Sequence, residues 1–451
     1  MHTEDTFKHW FSPEILRQLF WKKIRYKCSP GLDRVGIVTF TEDLENQISL
    51  INRKVLNGTY SFTKYNELLI SKGRFKEPRC VSRPTIRDKL TLCALHGCLQ
   101  EIYADVLDNR LIHSKVNEII NNIPNFTHYV KIDIVGFYPS INHEMLSRVL
   151  SEKVPESIVQ VVNKAITTPT VSRDYNSQIS EMKPSSQGVP EGLSISNLLA
   201  NIFLKSVDTH FHESSKVSYC RYVDDILILV NESDVDDVKC DIVNKLTDLK
   251  LKVHDFGESD KSDVQRCDTG FSYLGYYYCS DMISVKDTTI DRFEHSLERM
   301  FSDYKKEENS SNKDKLHNID MFAWKLNLKI AGCVYNSRKY GWMFYYSQIN
   351  DLTLLRHFDW LVEKLYSRYN IPKSQIEIKS FFKTYHEIKF NLSHSSYFYN
   401  VDKMSREEIE AVIRDVFHYL VPAKKEDVEK TFYNVFNTSL RALERDVQFF
   451  S

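Results

Sequence analysis

Ser218-Tyr-Cys-Arg-Tyr-Val-Asp-Asp-Ile-Leu-Ile-Leu-Val230 sets two adjacent aspartates, Asp224 and Asp225, between two short runs rich in Val, Ile, Leu, Tyr and Cys. Such runs read as strands, and the polar pair between them reads as the tip of a β-hairpin. Carboxylates on a tight turn, held up by buried strands, are aimed at one point. That suits a hard divalent cation such as Mg²⁺, which takes oxygen ligands and shares its shell with substrate phosphates. Taken alone, an Asp-Asp pair also marks an ordinary solvated hairpin tip. A third carboxylate stands upstream, in Lys131-Ile-Asp-Ile-Val-Gly-Phe-Tyr-Pro-Ser-Ile-Asn-His143. Tyr129-Val130 precedes it, so Asp133 falls at or near the end of a short strand. Gly136 and Pro139 break that strand before a helical pattern begins near Asn142. A strand-end carboxylate beside a hairpin carrying two more is the donor pattern of a two-metal phosphoryl-transfer site, with ions about 4 Å apart.

A chain of 451 residues exceeds one ordinary core, so two or three domains are expected. The 42% hydrophobic and 12% aromatic content excludes a disordered chain. With 60 Lys+Arg against 61 Asp+Glu, any nucleic-acid binding must come from local basic stretches. From Lys64 to Lys89 there are eight basic residues against three acids, and from Asn231 to Asp263 ten acids against five lysines. Segregated charge favours a polyanion channel on one face, although solvated surfaces give the same pattern. Nine cysteines occur without a Cys-x-x-Cys pair, and Cys93, Cys98 and Cys220 lie in apolar runs. They read as reduced thiols of an intracellular protein. Met1-His-Thr-Glu-Asp5 lacks the zones of a signal peptide, and no run approaches the roughly 20 apolar residues of a membrane span. The expectation is a cytoplasmic protein with no membrane partner.

Working outward from the hairpin, Val235 to Leu251 reads as an amphipathic helix and Phe271 to Tyr278 as a strand pair. Upstream, Thr41 to Val55 is a helix, and Tyr60 to Arg83 a hairpin with Ser71-Lys-Gly-Arg74 at its tip. An apolar helix runs from Asp88 through Val106. Asn142 to Leu150 and Ser157 to Thr167 are predicted helices, followed by the glycine-punctuated Ser185-Ser-Gln-Gly-Val-Pro-Glu-Gly192 and a helix of small and apolar residues. From Ile290 onward nearly everything reads as helix, with Asn309-Ser-Ser-Asn312 the clearest linker. Strands interleaved with helices give an α+β sheet backed by helices.

Lys-Ile-Asp-Ile-Val-Gly-Phe-Tyr-Pro-Ser-Ile, Gln-Gly-Val-Pro-Glu-Gly-Leu-Ser-Ile-Ser-Asn, Arg-Tyr-Val-Asp-Asp and Tyr-Leu-Gly-Tyr follow one another in the order of reverse transcriptase palm motifs. The chain resembles that family over roughly residues 30 to 285, and more weakly to about 350. The resemblance implies a right-hand polymerase of fingers, palm and thumb with an antiparallel palm sheet. Its expected parts are an N-terminal extension and fingers over 1–125, a palm over 126–285, a helical thumb over 286–370 and a C-terminal helical domain over 371–451. The implied reaction is attack of a primer 3′-hydroxyl, or a protein hydroxyl, on a dNTP. Asp133 and Asp224 resemble the carboxylates that hold two Mg²⁺ ions, for which Mn²⁺ can substitute. Asp225 is the adjacent participant, and the carbonyl of Ile134 a further ligand. Tyr138 matches the steric gate that excludes a 2′-hydroxyl, and Gln187 and Gly188 the loop packed on the incoming nucleotide. Each has a plainer reading, as a core tyrosine and a turn.

Lys72, Arg74 and Arg79, with Lys76, lie where the fingers hairpin grips the triphosphate in that family. Arg87 and Asp88 match the next block, as an ion pair shaping the palm. Tyr222 would underlie the primer end. Tyr273 and Gly275 fall in the stretch resembling the primer grip. The segment Trp324 to Tyr346 fits a thumb helix pair, with Arg338 and Lys339 meeting phosphates and Trp342 and Tyr345 packing. Many relatives carry Asn-x-x-Lys-Thr after the Asp-Asp hairpin. Here His254 stands near the asparagine position and Lys261 follows seven residues later, which leaves Lys261 either a triphosphate lysine or a loop lysine.

A palm followed by some 160 residues read as helix resembles the bacterial antiphage reverse transcriptases, relatives of the group II intron and retron enzymes. That likeness implies a noncoding RNA template or scaffold, dNTPs, a DNA product, and a companion defence protein or a homo-oligomer. The rival readings are a domesticated group II intron-like enzyme and a catalytically idle RNA-binding scaffold.

Overall fold

The computed structural model describes residues 3–25, 29–71, 77–108, 110–174, 185–257, 261–308, 319–372, 374–422 and 424–447. Two units form, one from residues 1–109 and 126–265, the other from residues 110–125 and 266–451.

The first unit holds β1 (Tyr65–Ile70), β2 (Arg79–Arg83), β3 (His128–Asp133), β4 (Thr170–Val171), β5 (Val217–Tyr222), β6 (Asp225–Val230) and β7 (Asp263–Arg266). They make two sheets, ordered β2-β1-β4 and β5-β6-β3-β7. Ile226 to Val230 are all buried, as a strand paired on both sides and covered on both faces requires. The helix Lys205–Glu213 packs on β5 and the helix Val235–Asp248 on β3. β1 and β2 pair antiparallel with Ile70 opposite Arg79, so the predicted hairpin forms. Its tip residues Lys72 to Lys76 lie outside the described residues.

The helix Ile86–Ile102 is buried around most of its circumference, and the helices Thr3–Trp10 and Pro13–Leu19 pack against it. Its N-terminus corrects one expectation. Asp88 is wholly buried and is held by Tyr60 Oη (2.7 Å), Thr85 Oγ1 (2.8 Å) and the Thr63 amide (3.1 Å) instead of forming the expected ion pair with Arg87. Burial raises the Asp88 carboxyl above its ordinary value, and these bonds and the Arg87 charge oppose the shift.

The second unit holds β8 (Phe271–Tyr273), β9 (Tyr276–Cys279), β10 (Met282–Val285), β11 (Cys333–Tyr335), β12 (Arg338–Tyr340) and β13 (Tyr399–Asn400), in sheets ordered β10-β9-β8 and β12-β11-β13. Helices Asp287–Glu308, Ile319–Ala331, Leu352–Tyr369, Phe381–Phe390 and Lys425–Val447 supply most of the rest. The thumb and C-terminal stretches, expected to be all helical, therefore contain strands. In place of the expected helix pair, a helix ending at Ala331 leads into the β11–β12 hairpin. Val334-Tyr335 and Lys339-Tyr340 suit strands, and Asn336-Ser337 between them takes left-handed φ values of 51° and 58°. Eight cysteines are described and all are free thiols. No helix among the described residues is long and apolar enough to cross a membrane.

Candidate active site

The two carboxylate-bearing stretches meet edge to edge. β3 and β6 pair antiparallel with Asp133 opposite Asp225, while Tyr222 of β5 opposes Asp225 from the other side. The Ile134 amide donates to the Asp224 carbonyl (3.4 Å), which makes Asp133 and Asp225 a non-hydrogen-bonded pair, the type whose side chains approach more closely. The hairpin needs only two residues, Val223 and Asp224, to reverse. Val223 takes φ 60°, a left-handed value that a β-branched residue adopts only under constraint. Conformations of this kind cost on the order of 1–3 kcal/mol and gather at functional sites.

Charge at this corner is already counterbalanced. Lys261 Nζ lies 2.7 Å and His254 Nε2 3.2 Å from Asp133 Oδ2, and those two nitrogens are 3.0 Å apart. The His254 amide donates to the Asp133 carbonyl (3.1 Å), fixing the second segment beside the strand end. Burial pushes the Asp224 carboxyl above its ordinary value and the nearby Asp133 charge adds to it, while Lys261 and Arg79 draw it down. Among the described residues no three His, Cys, Asp or Glu side chains form a closed metal cluster. Asp133 and Asp225 are cross-strand neighbours and Asp224 stands one residue before Asp225 on the turn; carboxylate oxygens are the donor type that suits Mg²⁺ when substrate oxygens and water complete the shell.

Tyr138 sits on the short helix Phe137–Ser140 that follows Gly136. Burial, then the Asp224 charge, pushes its phenol up to about 12, so the ring stays neutral. Backbone bonds from the Gln187 loop fasten this helix: the Val189 amide to the Tyr138 carbonyl (2.8 Å), Gly188 to Ile141 (2.8 Å) and His143 to Ser186 (3.2 Å). Gly188 has φ +96°, and a Cβ there would stand 3.2 Å from the Pro139 carbonyl oxygen. At the far end of the loop Gly192 has φ +93°, and its Cβ would fall 2.5 Å from Val81 Cγ1 of β2. The Ser82 amide donates to the Glu191 carbonyl (2.7 Å) and Arg79 pairs with the Glu191 carboxylate, so the loop is bonded to β2 at Glu191.

Residues 70–278 match the family described as reverse transcriptase (RNA-dependent DNA polymerase). The chain carries a reverse transcriptase domain. It is similar to an uncharacterized 91 kDa protein in the cob intron of Schizosaccharomyces pombe, at 27% identity over 207 residues, 43% of this chain and 24% of that protein. It is likewise similar to the group II intron-encoded protein LtrA of Lactococcus lactis, at 26% over 223 residues, 44% of this chain and 36% of that one. The retron Ec83 reverse transcriptase of Escherichia coli aligns at 26% over 131 residues, 29% of this chain and 38% of that enzyme. The chain thus spans between 24% and 38% of the length of these relatives.

The reverse transcriptase domain brings Asp133, Asp224, Asp225, Tyr138, Tyr222, Arg79 and Lys261 into one neighbourhood, with Gln187 exposed on the adjoining loop. Lys72 and Arg74 lie outside the described residues. Tyr273 is a correction: the ring expected to contact nucleic acid is 1% exposed and packs inside the second unit, while the Gly275 carbonyl accepts from the Lys286 amide (2.9 Å). Its alternation Phe271-Ser-Tyr273 places it on the inward face of a three-residue strand. Arg338 and Lys339 are exposed on β12, not on a helix, and Trp342 packs as expected, against Phe293.

One residue of the domain escaped the motif reading. Arg221, whose side chain is 7% exposed, grips Asp208 with two nitrogens, donates to Asn201 Oδ1 (3.1 Å) and reaches the Val223 carbonyl (2.9 Å). Tyr219 Oη joins it on Asp208 (2.9 Å). The signal was in the sequence: an arginine alternating into an otherwise apolar strand must be paired when buried.

Proposed function

We propose that the chain is an RNA-directed DNA polymerase that adds dNTPs to a primer 3′-hydroxyl. The observation that carries this reading is the meeting of Asp133, at the end of β3, with Asp224 and Asp225 on the β5–β6 hairpin, inside the stretch matched to reverse transcriptases. Asp133, Asp224 and the Ile134 carbonyl would hold two Mg²⁺ ions, or Mn²⁺ in their place, with Asp225 alongside. Bound there, the ions would make the attacking hydroxyl a better nucleophile and neutralise charge on the leaving phosphate. The chain's own residues orient the substrates. Tyr138, held from the Gln187 loop, presents a neutral ring beside Asp224 and would stop a 2′-hydroxyl. Arg79, with Lys72 and Arg74, supplies cationic groups for the triphosphate, Arg as a planar fork and Lys as a point charge. Lys261, which rests on Asp133, would be a further cation for the same phosphates. Carboxylates gathered in this number repel one another, and Lys261 on Asp133 offsets part of that repulsion.

The setting we propose is cytoplasmic antiviral defence on a structured noncoding RNA template. What supports it is the resemblance of the palm blocks and of the long, largely helical region that follows them. The similarity to LtrA favours a second reading, a domesticated intron-type enzyme assisting splicing, and a ribozyme flanking the gene would mark it. The deciding experiment is dNTP incorporation with Mg²⁺ by the wild type and by Asp224→Ala/Asp225→Ala. Incorporation by the wild type alone is expected, and equal incorporation by both removes the assignment. Phage plating with and without the intact aspartates tests the defence role.

A further inference from the structure

The second unit contains a cavity of about 440 Å³ whose lining includes Asn327, Lys379, Lys383, Glu387, Tyr397 and Tyr399. It is built deliberately from the backbone outward. Asn327, 1% exposed on the helix Ile319–Ala331, donates to the Glu377 carbonyl (2.9 Å) and accepts from the Lys379 amide (2.8 Å). That pair of bonds fixes the extended segment from which Lys379 projects. The Tyr397 hydroxyl accepts from the Ser380 amide (2.8 Å), and Tyr399 is anchored in β13 opposite Cys333 of β11.

Against these two fixed rings lie two ammonium groups. Lys379 Nζ is 4.4 Å from the Tyr399 ring centre and 5.3 Å from that of Tyr397, and it donates to the Tyr397 carbonyl. Lys383, in the first turn of the helix Phe381–Phe390, is 4.8 Å from the Tyr397 ring. Neither forms an ion pair with a carboxylate among the described residues. Burial alone lowers Lys379, to about 8, with no acid offsetting it. Glu387 is held by Asn391 (2.9 Å) and Ser395, and Lys383 acts on it only as a further charge. For the part-buried Lys379, ring faces and one carbonyl replace little of a lost hydration shell. With the exposed Lys383 beside it, it gives the wall of a polar cavity two ammonium groups placed to take an anion.

We propose that the cavity binds a nucleotide, its phosphate taken by Lys379 and Lys383 and its hydroxyl and base N–H groups by Glu387 and Asn391. The volume exceeds what a bare phosphate needs and falls in the range of small-molecule sites. Carboxylate and amide acceptors beside the lysines suit the donor-rich sugar and base. The choice of a nucleotide among phosphate esters rests on the polymerase reading; the anion site itself does not. The nucleotide can be free or the phosphorylated end of an RNA chain.

The test is calorimetric titration of the full chain, in EDTA, with AMP, inorganic phosphate and a short 5′-phosphorylated RNA. Saturable AMP binding is expected, tighter than for inorganic phosphate. Loss of one charge-assisted contact in Lys379→Met should weaken it by about tenfold or more, with Lys379→Arg nearer wild type. Because Lys379→Met removes a partly buried side chain, the exposed Lys383→Gln serves as a second variant and should weaken AMP in the same direction. Asp224→Asn should bind AMP as wild type does. Binding of AMP with RNA affinity unchanged by Lys379→Met identifies a free nucleotide; RNA binding weakened by Lys379→Met as AMP binding is identifies a chain end. Equal AMP affinity in wild type, Lys379→Met and Lys383→Gln, or no binding of any probe, overturns the proposal. A loss confined to Asp224→Asn would assign the signal to the polymerase site and overturn this one alone.

Discussion

Two hairpins of this protein reverse in two residues and do so by opposite means. β11 and β12 turn through Asn336-Ser337, both at positive φ, a primed turn whose right-handed twist matches its strands. Asparagine tolerates that region, and the Asp402 carboxylate accepts both turn amides, at 2.6 and 2.7 Å. β5 and β6 turn through Val223-Asp224, with a β-branched residue at φ 60°, and here a buried arginine holds the turn by its carbonyl. The first turn follows from local preference, with Asp402 adding its two bonds from outside. The second defies local preference and is maintained from outside, by Arg221, Asp208 and Asn201. A turn of the second kind is expected where the position of one side chain matters more than the ease of making the bend.

The largest effect that would sharpen this contrast is chemical. Asp224→Asn should lower dNTP incorporation by about a thousandfold or more, the loss of several kcal/mol of charge stabilisation, while Asn336→Gly leaves incorporation near wild type. Both are read in one primer-extension assay. Next is Arg221→Met, which leaves the part-buried Asp208 with Tyr219 alone among the described residues and should cost about 2–3 kcal/mol in urea unfolding. Asp402→Asn, which keeps one acceptor and loses the other with the charge, should cost only about 1 kcal/mol. If the two clamps prove equal, the contrast fails. Asn336→Val imposes on the easy turn what the other turn already bears, and should destabilise by about 1–2 kcal/mol. The smallest change is Val223→Gly. Relief of the left-handed strain opposes the entropy a glycine adds, so stability should move by less than about 1 kcal/mol, and incorporation should fall as the turn loosens.

The strands around the aspartates were legible because short apolar runs bounded by polar residues have few other interpretations. β3, β5 and β6 fall where the spacing puts them, and so does the helix Val235–Asp248. The β11–β12 hairpin was missed because it is flanked by long helical patterns, and three-residue strands carry almost no periodicity of their own. Tyr273 was assigned to nucleic acid by motif position, which says nothing about which face of its strand is inward. Arg221 was passed over for the reverse reason: its strand was clear, but its partners Asp208 and Asn201 come from helices that no local pattern ties to it. Lys261 illustrates the same limit. Its distance along the chain from the family's usual lysine left its place open, and only the fold carries it to Asp133.

On the polymerase reading, the three backbone bonds that fasten residues 138–143 to the Gln187 loop would bear on fidelity. A tyrosine on a yielding backbone would let an oversized sugar in and merely slow its reaction. Tyr138 has no such give, since its own carbonyl and that of Ile141 are both tethered. On the polymerase reading it works as a doorstop: the wrong sugar is turned away on arrival, and discrimination shows as poor occupancy more than as sluggish turnover.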